Sequence, residues 1–200
     1  MYHIHSTEGF VLGSKPYREA GKIIQIFTRE LGLVWAIAEG IRLEKSKLRY
    51  YIQDYSFARF SLVHGKEFWR IVGVAEYNLK IDKKKEILNI LAPIALVLKR
   101  LVQGEQAHEE IFDCLDNCLD YMCDNTLKDT KEAENNEEIR TLESLMVIRI
   151  LYRLGYIGDD SLFGLDLKDC KISGELVESL KSHRIELNKK INVALKESHL

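Results

Sequence analysis

The stretch "GKIIQIFTRELGLVWAIAEGI", residues 21–41, decides the fold of the first part of this chain. It contains two runs rich in β-branched and aromatic residues, and these runs meet at Gly32. Such runs favour strands, and a glycine between them gives the backbone the freedom that a tight turn needs. The stretch therefore predicts a β-hairpin.

The strand pattern continues on both sides of this hairpin. The flanking segments are "IHSTEGFVLG" (4–13), "YSFARFSLVHG" (55–65) and "KEFWRIVGVAEYNL" (66–79). About five strands in the first 80 residues, joined by short turns that contain glycine, are typical of a small antiparallel barrel or sandwich. The segment "KSKLRYYIQ" (45–53) fits either a short helical turn or an irregular crossing.

From residue 83 onward the apolar residues recur with the period of a helix. The segments with this period are "KKEILNILAPIALVLKRLV" (84–102), "HEEIFDCLDNCLDYMCD" (108–124), "IRTLESLMVIRILYRLGYIG" (139–158) and "SGELVESLKSHRIELNKKINVALK" (173–196). Gly155 is placed to end the third helix, and Ser173 is placed to cap a single long helix at the end of the sequence. We therefore expect an α-helical bundle in this half of the chain.

The predicted fold class is α+β, with a β-barrel domain over residues 1–80 and an α-helical domain over residues 81–200. The segment "KDTKEAENNEE" (128–138) has no large apolar residue. A segment of this composition has little apolar surface to bury, so we expect a flexible connection near residues 127–138.

Charge is distributed unevenly between the two halves. The whole chain of 200 residues has a formal net charge of −2. Residues 1–80 contain 12 Lys and Arg against 8 Asp and Glu, a net charge of +4, and the remaining 17 against 23 give −6. A basic half joined to an acidic half is typical of a protein that binds an anion through one domain.

The sequence also suggests a compartment. No charged segment followed by an apolar core opens the chain, so we expect no secretory signal. The longest apolar run, "ILAPIALVL" (90–98), is too short to span a bilayer. The four cysteines follow no disulfide framework, so we expect reduced thiols and a cytoplasmic protein with no membrane partner.

The motifs of common enzymes are absent from the sequence. It contains no G-x-G-x-x-G, G-x-x-x-x-G-K, G-x-S-x-G or H-E-x-x-H. His3 and His5 have a spacing that metals use on a strand, but a third ligand is not apparent. A metal-dependent hydrolase is thus the weakest alternative, and we predict a protein that is not an enzyme and uses no metal, cofactor or small-molecule substrate.

A cluster of cations directly follows the second run of the hairpin. The stretch "EGIRLEKSKLRY" (39–50) contains four cations in eight positions, and Tyr51 comes next. Cations that contact successive phosphates of the backbone, together with aromatic rings that stack on bases, are typical of proteins that bind single-stranded nucleic acid. A solvated loop is the alternative. The residues predicted to contact nucleic acid are Arg18, Lys22, Arg29, Arg42, Lys45, Lys47, Arg49 and Tyr51.

Several short motifs in this half resemble the N-terminal domain of the RecO family of bacterial recombination mediators. They are Gly9 to Leu12, Tyr17 to Glu19, Thr28 to Gly32 and Gly40 to Ser46, in the family's order and spacing. In the second half, "LESLMVIRILYRLGY" (142–156) resembles the family's inner helix. The resemblance implies an OB-fold barrel followed by an α-helical domain.

The resemblance also implies a function. We expect a DNA repair and recombination mediator that binds single- and double-stranded DNA and anneals complementary strands. We also expect it to help RecA loading together with RecR, on DNA coated with the single-stranded DNA-binding protein SSB, in association with the bacterial nucleoid. An OB-fold module that binds RNA or acts in translation is the alternative.

Two features concern the second half. Many members of the family have two Cys-x₂-Cys pairs after Leu-Gly-Tyr, but here that stretch contains only Cys170. We therefore expect no structural zinc. The acidic C-terminal tail of SSB needs an apolar slot beside a cation, and Arg149 and Arg153 are the cations predicted for that role.

Overall fold

The computed structural model of the protein describes residues 3–76, 85–125, 132–158 and 161–197. The chain forms two compact units. The first contains the described residues of 1–80 together with Val102–Glu109, and the second contains the rest. The first unit is therefore larger than the continuous domain expected over residues 1–80, because a later segment returns to it.

Five strands of the first unit close into a barrel in the order β1-β2-β3-β5-β4. All neighbouring pairs are antiparallel except β3 and β5, which are parallel. The strands are β1 (Ile4–Tyr17), β2 (Gly21–Thr28), β3 (Gly32–Ala38), β4 (Phe57–Val63) and β5 (Trp69–Glu76). A small five-stranded barrel followed by helices confirms the predicted fold class, with its OB-fold and helical domain.

The β2–β3 hairpin forms as its sequence predicts. Thr28 pairs with Gly32, whose φ of +72° is a conformation that glycine adopts without strain. The Thr28 hydroxyl donates to the Gly32 carbonyl at 2.9 Å and accepts from the Leu31 amide at 3.1 Å. Alternate residues of the two strands, including Ile24, Ile26 and Val34, fill the barrel interior.

The segment Val102–Glu109 is held to the barrel by two hydrogen bonds. The Leu33 amide donates to the Gly104 carbonyl at 3.0 Å. The indole of Trp69 donates to Glu105 Oε1 at 2.9 Å. The spacing of apolar residues could not predict that this segment belongs to the barrel unit, because these contacts join residues far apart in the chain.

The described residues also form six helices and a small hairpin. The helices are α1 (Leu48–Tyr51), α2 (Lys85–Leu101), α3 (Glu109–Asn125), α4 (Glu132–Arg153), α5 (Gly174–Lys181) and α6 (Arg184–Glu197). In the helical unit, apolar residues of α4 pack with those of α6 in one core cluster. No helix within the described ranges has both the length and the apolar character needed to cross a bilayer.

The helical unit differs from the sequence-based expectation at three places. Helix α4 begins at Glu132, so 132–138 are helical rather than part of a flexible connection, and 126–131 lie outside the described residues. Glutamate and alanine favour helices without apolar neighbours. Ser173 caps α5, but the expected single terminal helix is divided into α5 and α6 around 182–183. Strands β6 (Ser161–Leu162) and β7 (Leu165–Asp166) form an unexpected hairpin.

The expectation of four reduced thiols is wrong for two of the cysteines. A disulfide joins Cys114 of α3 to Cys170, which lies 56 residues further along the chain. Cys118 and Cys123 are free and buried. Spacing in the sequence did not reveal the bond because it depends on how α3 packs against the segment before α5.

Candidate nucleic-acid interface

The basic loop, residues 39–56, connects β3 to β4 and carries four of the predicted cations. Ile41 and Ile52 are buried in the barrel core cluster. The Arg42 amide donates to the Ala20 carbonyl at 2.9 Å, which ties the start of the loop to the β1–β2 turn. The Ser56 hydroxyl donates to the Tyr51 carbonyl at 2.9 Å and closes its end. These contacts hold the loop in a fixed position on the barrel.

Three of the predicted cations line one cleft of about 550 Å³ at the basic loop. Lys22 comes from β2, and Arg42 and Arg49 come from the loop. The buried side chains of Ile41 and Ile52 also line the cleft. Positive charge beside a low-dielectric wall produces a strong local potential, which favours an anionic ligand.

One carboxylate moderates the charge of this cleft. Asp54 lines it, and its Oδ1 accepts a hydrogen bond from the Ser14 hydroxyl at 2.9 Å. The Lys22 ammonium in turn donates to Ser14 Oγ at 3.3 Å. Three cations against one carboxylate leave the cleft with an excess of positive charge.

Lys45 and Lys47 lie on the exposed part of the loop, outside this cleft. Neither makes an ion pair with any residue that the structure describes. Lys47 lies immediately before the single turn of α1. Both ammonium groups are thus available to a phosphate chain that passes over the loop.

The aromatic side chains of the loop differ in exposure. Tyr50 is 63% exposed and Tyr51, the predicted residue, is 38% exposed. Arg49 Nη2 donates to the Tyr50 hydroxyl at 3.1 Å, and the guanidinium carbon lies 5.1 Å from the Tyr50 ring centroid. This hydrogen bond and the Arg49 charge lower the pKa of Tyr50. Tyr50 is the better candidate for stacking on a base because it is the more exposed of the two. The sequence alone does not distinguish the two adjacent tyrosines.

Arg18 lies in the β1–β2 turn, close to the start of the basic loop. Its φ is +50°, and its guanidinium lies 5.0 Å from the Tyr17 ring centroid. Arg18 lines a second cleft of about 510 Å³ together with Glu19 and Glu39. Because two carboxylates accompany one arginine, this cleft is a poorer anion site than that of Lys22, Arg42 and Arg49.

Arg29 is separated from the other predicted cations. It follows the opposite end of β2 from Lys22, about 20 Å away along the strand. Its Nε lies 2.8 Å from Glu8 Oε2, and Glu8 Oε1 lies 2.7 Å from Arg59 Nη2. The structure therefore does not bring Arg29 to the basic loop.

Arg149 and Arg153 lie inside the helical unit. Arg149 is 1% exposed, and its guanidinium donates to the carbonyls of Cys170 at 3.3 Å and Lys171 at 3.1 Å. Arg153 donates to the carbonyls of Leu167 at 2.7 Å and Lys168 at 2.8 Å. Burial lowers the pKa of Arg149 to about 10 and also lowers that of Arg153.

These contacts contradict the expectation that Arg149 and Arg153 receive the carboxylates of a partner's tail. Both side chains already bind the backbone of residues 167–171. The sequence indicated that the two arginines share a helix face. It did not indicate that residues 167–171 cover that face, because these residues show neither a helical nor a strand pattern of apolar residues.

The histidines of the metal alternative lie side by side. The ring centroids of His3 and His5 are 4.5 Å apart, and His5 also meets Trp69 edge-on at 5.3 Å. Within the described residues, no group of three or more His, Cys, Asp or Glu side chains is arranged to hold a metal ion. A metal site with His3 and His5 is thus without a third ligand in the described part of the chain.

Comparison with known proteins relates the barrel to one protein family. Residues 1–74 match the family model described as "Recombination protein O N terminal". Over this region the chain is similar to the RecO proteins. It is 31% identical over 120 residues to the DNA repair protein RecO of Alkaliphilus metalliredigens, an alignment that covers 58% of this chain and 48% of the relative.

Other RecO relatives align with both halves of the chain. The DNA repair protein RecO of Clostridium novyi is 25% identical over 181 residues, which cover 87% of this chain and 62% of the relative. The RecO of Actinobacillus succinogenes is 26% identical over 190 residues, or 94% of this chain and 71% of the relative. The chain thus spans about half to two thirds of the length of the first two RecO relatives.

Proposed function

We propose that the protein is a DNA repair and recombination mediator that binds single- and double-stranded DNA through the basic loop of its barrel. The observation that carries this proposal is the cleft lined by Lys22, Arg42 and Arg49, on a barrel that matches the RecO N-terminal family. Binding and annealing require no catalytic group, so the proposed activity is not enzymatic.

The charges of the loop explain how it recognises DNA. Each phosphate that pairs with a lysine or arginine releases condensed counterions, so affinity falls steeply as salt rises. Such contacts are made to the backbone, so they position a strand without reading its sequence. A mediator that acts on many DNA sequences needs this kind of contact.

Annealing follows from the same neutralisation. Two complementary strands repel each other through their phosphates, and this repulsion opposes pairing. Cations held on a rigid loop lower the repulsion while the bases of the strands stay accessible. The proposal therefore includes annealing of complementary strands without ATP.

The proposal also includes the partners of a mediator, namely RecR, the C-terminal tail of SSB and, through them, the loading of RecA. The names of the relatives and the acidic character of residues 81–200 support this part. Because Arg149 and Arg153 bind their own backbone, we propose that the SSB tail docks elsewhere than on these two side chains.

An annealing experiment tests the proposed function. Complementary oligonucleotides, bare or coated with SSB, are mixed with the full chain, and duplex formation is followed with time. We expect faster annealing in both cases and no dependence on ATP. Failure to accelerate annealing of either substrate would contradict the proposal.

Competition separates DNA from RNA as the ligand. A labelled single-stranded DNA bound to the protein is challenged with unlabelled DNA or RNA of the same sequence, at several salt concentrations. We expect DNA to compete at least as well as RNA. A strong preference for RNA would favour the alternative of an RNA-binding or translation-associated module.

A further inference from the structure

One of the two tryptophans lies on the outside of the barrel. In β3, Val34 and Ala36 point into the barrel core, so Trp35 between them points outward and is 39% exposed. The other tryptophan, Trp69, is 5% exposed and donates its indole hydrogen to Glu105. Trp69 thus has a structural role, whereas part of the Trp35 ring faces solvent.

Trp35 is accompanied by a cation. The Lys15 ammonium of β1 lies 5.2 Å from the centroid of the Trp35 ring. Trp35 pairs with Gln25 of β2, and Ile37, next on the same face of β3, pairs with Arg70 of β5. Arg70 lies 3.6 Å from Glu39 and is partly neutralised, so Lys15 is the cation that accompanies the aromatic surface of Trp35.

Among the described residues of the barrel unit, two more pairs resemble Trp35–Lys15. Arg18 lies 5.0 Å from the Tyr17 ring centroid and Arg49 lies 5.1 Å from that of Tyr50. Lys15 and Tyr17 are two residues apart and share a face of β1, about 7 Å apart. The hydrogen bond from Arg42 to Ala20 connects this turn to the basic loop. The Lys15–Trp35 and Arg18–Tyr17 pairs therefore lie along one stretch of β1 and its turn, and the Arg42–Ala20 hydrogen bond joins that turn to the loop that carries Arg49 and Tyr50.

We propose that Trp35 is a stacking platform for a nucleobase and that Lys15 contacts the phosphate of the bound strand beside it. The inference rests on the proposed DNA binding and adds a base-binding subsite to the phosphate contacts of the basic loop. Stacking on an aromatic ring accepts every base, because each base has a π-face. When a base stacks on Trp35, the Lys15 ammonium moves from the ring to a phosphate.

The tryptophan content of the chain makes this subsite directly measurable. Trp35 and Trp69 are the two tryptophans of the sequence, and Trp69 is buried. Binding of a single-stranded oligodeoxynucleotide is followed by tryptophan fluorescence and, independently, by gel shift. We compare the wild type with Trp35→Phe, which leaves Trp69 as the only tryptophan, and with Trp35→Ala, which removes the ring.

We expect the oligonucleotide to quench the fluorescence of the wild type and not that of Trp35→Phe. We expect Trp35→Ala to weaken binding on the order of tenfold. An abasic strand of the same length supplies phosphates without bases. The abasic strand should bind the wild type and Trp35→Ala equally well, and it should leave the wild-type fluorescence unchanged.

The outcomes separate this inference from the proposed function. If the wild type binds DNA but Trp35→Phe is quenched as strongly, or Trp35→Ala binds as tightly, the stacking platform is wrong and the basic loop still stands. If the wild type binds no DNA by gel shift even at low salt, the proposed function fails and the inference fails with it.

Discussion

Ile41 and Ile52 lie eleven positions apart in the sequence, yet both are 2% exposed and belong to the same core cluster of the barrel. All four cations of the basic loop lie between them. Burial of these two apolar side chains therefore fixes the positions from which the charges project. The loop thus carries its cations between two apolar anchors, so recognition by the cations depends on the packing of Ile41 and Ile52.

Substitution of either anchor should destabilise the barrel. We expect Ile41→Ala or Ile52→Ala to lower the free energy of unfolding by about 2–5 kcal/mol, since a buried isoleucine loses both its apolar contacts and its volume. Urea unfolding measures the change. Leu43→Ala is the matched control, because Leu43 is 58% exposed and its loss should change stability by less than about 0.5 kcal/mol. Equal effects of all three substitutions would show that the loop is not anchored in this way.

Arg149 should matter for stability. We expect Arg149→Met to lower the free energy of unfolding by about 1–3 kcal/mol, because the carbonyls of Cys170 and Lys171 lose their donor inside the helical unit. Arg140→Met is the control on the same helix, where the side chain is exposed. A variant Arg149→Met that keeps full stability but no longer binds an SSB-tail peptide would support the docking role that the structure disfavours.

The disulfide predicts a definite number of thiols. Protein purified without reductant and then unfolded should react with a thiol reagent at two cysteines, Cys118 and Cys123. After reduction it should react at four, as Cys114 and Cys170 are released. Peptide mapping of the oxidised protein identifies the bonded pair. Four reactive thiols before reduction would contradict the bond.

Stability at alkaline pH should depend on Cys118. Burial raises the pKa of this thiol to about 12, whereas an unfolded cysteine ionises near about 8.5. Above that value the unfolded chain loses a proton that the folded chain keeps, so stability falls as pH rises. Between about pH 7 and about pH 10 the loss should be about 2 kcal/mol smaller in Cys118→Ala than in the wild type. Identical pH dependence of the two proteins would show that the thiol is not buried as described.

Much of the barrel could be predicted from sequence because its signals are local. Alternation of apolar residues and the turn at Gly32 depend on neighbours in the chain, and the β2–β3 hairpin forms where they indicate. The return of Val102–Glu109 to the barrel and the Cys114–Cys170 bond involve residues that sequence distance separates. The break between α5 and α6 was missed because its residues are polar and helix-compatible.

The candidate site was predicted in part, for a related reason. Clustering in sequence placed four cations in one loop, of which Arg42 and Arg49 line the cleft and Lys45 and Lys47 lie outside it, and their contact with nucleic acid stays a prediction. Arg29 was grouped with them as a cation of the preceding strands, but it follows the far end of β2 and pairs with Glu8. The outward position of Trp35 could have been predicted, because it lies between Val34 and Ala36 in an alternating strand whose other face is apolar.

Salt-dependent DNA affinity tests the central claim, that the basic loop is the DNA-binding surface. The variant Lys45→Glu/Lys47→Glu/Arg49→Glu is compared with the wild type and with Lys171→Glu/Lys189→Glu/Lys196→Glu. The control reverses three exposed cations of the helical unit and changes the net charge equally. Affinity for a single-stranded oligonucleotide is measured across a salt series.

The account predicts that the loop variant loses affinity by on the order of 100-fold or more at low salt and shows a shallower dependence on salt, because fewer counterions are released. The control variant should keep most of its affinity and the salt slope of the wild type. An unchanged salt slope and affinity in the loop variant, or equal losses in the two variants, would contradict the claim.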